Sequence, residues 1–126
     1  MPVATKRALQ LLDTFYTELE ANSDKMRLAT KADDIEAAKS DGKVAAVLSL
    51  EGVEPLAGDL GLLRMFYRLG VRAAGLTWNW RDEAADGLYE ERSGGELMSF
   101  GFGLTEEKNR YHLEQAKDGR AACKHG

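Results

Sequence analysis

The chain has 126 residues, one cysteine and a formal net charge of −4. This length allows one domain with a real hydrophobic core, and 44% hydrophobic with 30% charged residues is typical of a soluble globular protein. The acidic balance excludes the basic footprint of a protein that binds nucleic acid or anionic membranes.

The short apolar runs and the single cysteine indicate where in the cell the protein is located. No apolar run approaches the ~20 residues of a membrane span, and Met1-Pro2 opens no secretory signal pattern. Cys123 alone cannot form an internal disulfide, which fits a reducing environment. We therefore expect a soluble, cytoplasmic chain with no membrane or nucleic-acid partner.

The amino-terminal third predicts a helix, a strand and a second helix. Residues 4–21 form an amphipathic helix with Thr5 as its N-cap. Its apolar stripe is Leu9, Leu12, Tyr16 and Leu19. Residues 25–30 alternate like a short strand, and residues 32–41 predict a small helix with Thr30 as its N-cap and Gly42 as its stop. The inward side chains of that small helix are Ile35 and Ala38.

The next stretch predicts a buried strand. Residues Val44 to Leu50 are apolar except for Ser49, which suits a parallel strand covered on both faces. This strand follows the small helix at once, so it should lie parallel to the strand at 25–30 through a right-handed crossover.

A third helix and strand follow. Asp59 caps a helix over residues 60–69, Gly70 closes it, and residues 71–78 predict another strand. The order α-β-α-β-α-β with short connections predicts a parallel α/β sheet or barrel.

Candidate functional residues lie where these strands end. Glu51 follows the buried strand, and it is either a carboxylate that faces water or pairs with Arg64 or Arg72, or a metal ligand or general base. Trp78 ends the strand at 71–78, and Trp80 lies in the long polar loop that begins at Asn79. They either pack a lid or line a substrate pocket.

Other motifs are missing. No G-x-S-x-G, P-loop or dinucleotide-binding glycine pattern is present. Cys123 and His125 form a lone C-x-H at the terminus, which we interpret as incidental.

The joined motifs resemble the renal dipeptidase-like family, the membrane dipeptidases of peptidase family M19. In that family a strand ends in Glu-Gly, as at Glu51-Gly52, and a helix like that of residues 59–72 follows. The next strand ends in LTWN or LTHN, as at residues 76–79, and leads to an Ala-Asp, as at Ala85-Asp86. The likeness extends through residues 31–45 and 94–101, and covers roughly residues 5–110.

The resemblance implies a (β/α)8 barrel with two zinc ions that hydrolyses dipeptides. It makes Glu51 the ligand that bridges both ions and Trp78 a substrate-binding residue, where many members carry histidine. A carboxylate can offer one oxygen to each of two cations about 3.5–4 Å apart. The fold class expected here is therefore an incomplete barrel segment of about three parallel strands with their helices, because a barrel needs ~200 residues or more.

The chain also departs from the family pattern. The family's His-x-Asp pair lies upstream of anything in this sequence, and a further metal histidine would fall at Gly119. His112 and His125 are not at ligand positions. We therefore divide the chain into a dipeptidase-like segment, residues 1–110, and a divergent polar tail, residues 111–126, which indicates a replaced or frameshifted end.

Three hypotheses follow from these observations. The first is a segment of a zinc dipeptidase that has little or no activity alone. The second is a non-catalytic module that pairs with itself or with a complementing chain, because exposed strand edges need cover. The third is an unrelated α/β enzyme that uses Glu51 and Asp86 as an acid–base pair.

Overall fold

The computed structural model of the chain describes residues 2–76, which form three helices and four short strands. In chain order these are α1 Val3–Ala21, β1 Met26–Leu28, α2 Ala32–Ser40, β2 Val44–Ala46, β3 Leu48–Leu50, a 3-10 turn Glu54–Leu56, α3 Leu60–Arg68 and β4 Val71–Ala74. None of the three helices in this part of the chain could span a lipid bilayer.

Helix α1 confirms the first predicted helix, but Thr5 is not its cap. Thr5 lies inside the helix, is buried, and donates from Oγ1 to the carbonyl oxygen of Pro55 at 2.7 Å. The helix instead begins after Pro2, whose fixed φ suits the start of a helix. Farther along, the Tyr16 hydroxyl donates to the carbonyl oxygen of Leu69. Two side chains therefore tie α1 to distant loops.

The predicted β-α-β crossover is present. Strands β1 and β2 pair in parallel, with Met26 opposite Val44, and α2 connects them. Gly42 ends the connection with φ of +68°, a conformation that glycine adopts readily. Two details of the prediction are wrong. The N-cap is Lys31, not Thr30, and Ile35 is 47% exposed while Ala38 is fully buried.

The predicted strand from Val44 to Leu50 is divided at Val47. Its first part, β2, pairs with β1, and its second part, β3, pairs in parallel with β4. The expectation that both faces are covered is wrong for the described residues, because Val44 is 67% and Val47 is 52% exposed. Each pair here has only two strands, and too few elements surround Val47 to cover it.

The segment from Asp59 to β4 has the predicted helix and strand, but β4 ends at Ala74, so Gly75 and Leu76 of the predicted strand 71–78 are not part of it. The Asp59 carboxylate accepts from the backbone N–H of Gly61 at 2.7 Å and so caps α3. Gly70 closes the helix with φ of +100°. A Cβ there would lie 2.9 Å from the Tyr16 hydroxyl, so the close approach of α1 also requires glycine.

One apolar core lies among α1, the 3-10 turn, α3 and the β3–β4 pair. Its buried side chains are Val53, Leu56, Phe66 and Val71. Partly buried residues of α1, β3 and α3 pack around them, including Leu9, Leu12, Leu48 and Leu63. Burying such side chains contributes roughly 1.5–3 kcal/mol each, so this cluster holds the helices on the strands.

Thr30 is the junction of a polar network at the end of β1. Its backbone N–H and its hydroxyl both donate to Asp34 of α2, and its carbonyl oxygen accepts from Arg72 of β4 at 3.1 Å. Arg72 also donates to the carbonyl oxygens of Tyr67 and Val71, and its guanidinium lies 3.8 Å from the centre of the Tyr67 ring. The network therefore connects β1, α2, α3 and β4.

Asp34 is the acidic centre of this network. The backbone hydrogen bond from Thr30 lowers the pKa of Asp34 below its ordinary value of 3.8, and the Thr30 hydroxyl and the charges of Lys31 and Arg27 add to that direction. Partial burial opposes the shift. Arg27 lies 3.4 Å from the Asp34 carboxylate.

We expect Arg72→Lys to destabilise the chain by about 1.5–3 kcal/mol, the range for a hydrogen bond to a charged group. Lysine lacks the planar fork that bonds to Thr30 while it stacks on Tyr67. Urea unfolding measures the change. Arg68→Lys is the matched control, because Arg68 is exposed on α3, and its effect should stay within about 0.5 kcal/mol. Equal losses in both variants would contradict the role of Arg72.

Asp34→Asn should lower stability at neutral pH and have little effect in acid. A pKa depressed in the folded state stabilises the fold above the unfolded value, and this contribution disappears as the pH falls through the folded pKa. The difference from the parent chain should therefore be full above 3.8 and disappear only as the pH falls through the lower folded pKa of Asp34. Urea unfolding over a pH series tests this, with Asp33→Asn, an exposed carboxylate in the same helical turn, as the control. A pH-independent difference would refute it.

Candidate functional site

Three residues of interest lie just beyond the carboxyl ends of the parallel strands β1, β3 and β4. Thr30 follows β1, Glu51 follows β3, and Gly75 follows β4. Gly75 donates from its N–H to the carbonyl oxygen of Leu50 at 2.9 Å, and a Cβ on Gly75 would lie 2.7 Å from the carbonyl oxygen of Glu51. The chain beyond β4 therefore passes directly against the backbone of Glu51, and glycine permits that approach.

Glu51 occupies the predicted position at the end of a parallel strand, β3. It is exposed and directly follows β3, so its carboxylate is available to a ligand. Arg72, which the sequence offered as a partner, donates to three backbone carbonyl oxygens instead of to Glu51. Pairing with Arg72 is therefore wrong, and pairing with Arg64 stays a prediction.

A second carboxylate lies close to Glu51 along the chain. The side chain of Glu54 folds back over Gly52, so that a Cβ on Gly52 would meet the Glu54 carboxylate. The sequence analysis did not single out Glu54. The spacing E-G-V-E at residues 51–54 could have predicted it, because it places two carboxylates within one turn at the end of a strand.

Glu51 and Glu54 border a groove of about 550 Å³ between α1 and β3. Most of the residues that line the groove are apolar. Three are charged: Arg7 on α1, and Glu51 and Glu54 on the opposite wall. The apolar part includes Ala4, Ala8, Leu11, Leu12, Phe15, Leu48, Leu50, Pro55 and Val71. The volume is in the range of small-molecule sites.

The described residues do not assemble a metal centre. Within residues 2–76, no three histidine, cysteine, aspartate or glutamate side chains lie close enough to hold a metal ion. A catalytic zinc ion takes about three protein ligands. Glu51 and Glu54 are oxygen donors that a zinc ion accepts, but this part of the chain does not supply a set of three.

Several predicted residues lie outside the described part of the chain. They are Trp78, Trp80, Asp86, His112, Gly119, Cys123 and His125. The proposed pairing of Glu51 with Asp86 and the boundary at residue 110 also lie there. These predictions therefore stay predictions.

Known proteins similar to this chain include dipeptidases. Dipeptidase verJ of Clonostachys rogersoniana is 31% identical over 108 residues, which are 83% of this chain and 27% of that protein. Dipeptidase 3 of Rattus norvegicus is 35% identical over 114 residues, which are 85% of this chain and 22% of that protein. The chain thus spans about a quarter of the length of these relatives.

A solved structure shows the fold. An amidohydrolase from Pseudomonas aeruginosa matches with a TM-score of 0.77 at 23% identity, over 83% of this chain and 32% of that chain. This likeness confirms the predicted fold class, an incomplete segment of a (β/α)8 barrel. The structural match covers about a third of the amidohydrolase, in keeping with the short length of this chain.

The sequence profile of one family covers most of the chain. The membrane dipeptidase family, peptidase family M19, matches residues 3–114, a range that includes every described helix and strand and continues well beyond β4. The dipeptidase relatives agree with this match. The resemblance drawn from the motifs around Glu51 is confirmed, and the chain belongs to the membrane dipeptidase family, peptidase family M19.

Proposed function

We propose that this chain carries one ligand-bearing segment of a metal-dependent dipeptidase site, with Glu51 as the carboxylate that bridges two zinc ions in the complete site. The observation that supports this most is the position of Glu51 in a member of the M19 family. It is exposed at the carboxyl end of a parallel strand, the end at which barrel enzymes place their chemistry.

The surroundings of Glu51 suit such a role. The carboxylate borders an open groove, and the second carboxylate of Glu54 adds negative charge that attracts a divalent cation. Bound zinc would supply an activated water molecule and Lewis acidity. The residues described here do not complete that site, so no catalytic step is assigned to them.

The substrate proposed for the complete site is a dipeptide, and Trp78 is proposed to contact it. Support for this comes from the similarity to dipeptidases and from the position of Trp78 shortly after β4 in the sequence. A cytoplasmic location is proposed on the acidic composition and the single cysteine.

A chain with this set of groups should not hydrolyse dipeptides alone. It spans about a quarter of the length of its relatives, and residues 2–76 contain no cluster of three metal-ligating side chains. One bridging carboxylate cannot hold two zinc ions without further ligands.

A second candidate function is a non-catalytic module that docks on another polypeptide. The observation that favours it is the exposed apolar surface, which includes Val47, between β2 and β3, and Leu11 on α1. This candidate predicts association without chemistry and can be tested separately from metal binding.

Metal binding tests the proposed role of Glu51. We expect the purified chain to contain substoichiometric zinc and to show no dipeptide hydrolysis above a buffer control. Any weak zinc binding seen by titration calorimetry should fall in Glu51→Gln and be better retained in Glu54→Gln, the matched control on the same groove.

Two results would contradict the proposal. One is tight binding of two zinc ions that survives Glu51→Gln, because the bridging ligand would then lie elsewhere. The other is dipeptide hydrolysis by the purified chain that Glu51→Gln leaves unchanged. Mass spectrometry for metal content and a chromatographic assay for free amino acids distinguish these cases.

A further inference from the structure

Gly75 is the first residue beyond β4, and it contacts the end of the strand that leads to Glu51. The parallel pairing of β3 and β4 ends with Leu50 opposite Ala74, so neither Glu51 nor Gly75 belongs to it. One more hydrogen bond follows, because the backbone N–H of Gly75 donates to the carbonyl oxygen of Leu50 at 2.9 Å. This bond continues the pairing of the two strands up to the residue before Glu51.

The contact between Gly75 and Glu51 leaves no room for a side chain on Gly75. A Cβ there would lie 2.7 Å from the carbonyl oxygen of Glu51 and 3.6 Å from its carbonyl carbon. A Cβ atom does not come within 3.0 Å of another heavy atom without displacing it, so a side chain at position 75 would force two backbone segments apart. Glycine at a strand end often marks such a close approach of another backbone.

Gly52, on the other side of Glu51, is crowded in a different way. A Cβ on Gly52 would meet a carboxylate oxygen of Glu54. That oxygen lies at the end of a flexible and exposed side chain, which can rotate away, whereas the carbonyl group of Glu51 is part of the backbone. Of these two glycines, Gly75 is therefore the one that restricts the backbone of Glu51.

We propose that Gly75 is a positioning residue for Glu51. Its close approach fixes the backbone just beyond β3, and so the point from which the Glu51 carboxylate extends. The fixed backbone is a property of this chain alone. The consequence for a bound cation rests on the function proposed above, in which Glu51 is a metal ligand.

The displacement that a side chain at position 75 would cause is large for a binding site. An ordinary contact of a Cβ atom is 3.4 Å or longer, so a contact of 2.7 Å has to lengthen by more than half an ångström. Either the backbone of Glu51 moves, or Gly75 moves and its bond to Leu50 breaks. Groups that bind a ligand need to be held within about 0.5 Å of their productive geometry. A single methyl group at position 75 is therefore enough to misplace Glu51.

Amide hydrogen exchange of the full 126-residue chain, followed by NMR, tests the positioning without any metal. Gly75 is exposed, so its amide should be protected only through the bond to Leu50. Gly75→Ala should accelerate exchange at position 75 by about tenfold and shift the amide resonance of Glu51. Gly52→Ala is the matched control, and it should leave the exchange of the Gly75 amide as in the parent chain. Exchange in α1 is the reference, because global destabilisation would raise it as well.

A zinc titration shows whether the position of Glu51 affects binding. Zn²⁺ alone is the probe, and the carboxylate resonance of Glu51, assigned through Glu51→Gln, is the readout. Gly75→Ala should raise the apparent dissociation constant at least about tenfold, the usual effect of removing the support of a metal ligand. Gly52→Ala should change it less than about threefold. A purely structural role of Gly75 would lower the stability of the chain and leave the zinc affinity of the folded chain unchanged.

Two results would overturn the inference by itself. One is unprotected exchange of the Gly75 amide in the parent chain, a measurement that does not depend on the folding of any variant. The other is a zinc affinity that Gly75→Ala and Gly52→Ala change equally. A Glu51 resonance that does not respond to zinc in the parent chain would instead overturn the function proposed above, and the exchange data would still decide whether Gly75 holds Glu51.

Discussion

The stretch from Val44 to Leu50, the central strand, is divided at Val47 into β2 and β3. This division determines how the described part of the chain is arranged. Before Val47 the strand pairs with β1, and after it with β4, so one segment holds two parallel pairs together. Since both pairs are parallel, Thr30, Glu51 and Gly75 all come at carboxyl ends of strands. The polar network of Thr30, Asp34 and Arg72 then bonds elements on both sides of the division. Backbone pairing and side-chain hydrogen bonds thus both hold the β1–β2 pair next to the β3–β4 pair.

Helix α1 closes the core and also forms one wall of the groove beside the candidate site. The Thr5 hydroxyl bonds to the loop after Glu51, and the Tyr16 hydroxyl bonds to the loop before β4. These contacts set the position of the helix relative to Glu51. In this position Leu11 and Phe15 of α1 line the groove together with Leu48 and Leu50 of β3. The same helix therefore packs on the core and lines the groove beside Glu51.

The described residues supply only part of the ligand set proposed for the metal site. The binuclear site proposed for Glu51 would need ligands from several strands, and residues 2–76 contain only four short strands. Glu51 is exposed directly after β3, and Glu54 follows three residues later with its carboxylate against Gly52. Neither carboxylate belongs to a group of three potential metal ligands within residues 2–76. Family membership thus relates the chain to dipeptidases, and residues 2–76 by themselves do not supply the three ligands that a catalytic zinc ion takes.

Local patterns in the sequence were enough to predict the helices, the parallel crossover, the Asp59 cap and the glycine stops at positions 42 and 70. Each of these depends on neighbouring residues, through apolar periodicity, side-chain capping or a positive φ. The sequence motifs around Glu51 were also sufficient to identify the family. Tertiary structure decided the features that depend on distant residues. Thr5 bonds to Pro55 rather than capping its helix, Thr30 bonds to Asp34 and Arg72, and the central strand is divided and partly exposed at Val47. A hydroxyl has the same local chemistry in a cap as in a long-range bond, so only the packing of distant segments determines which partner it takes.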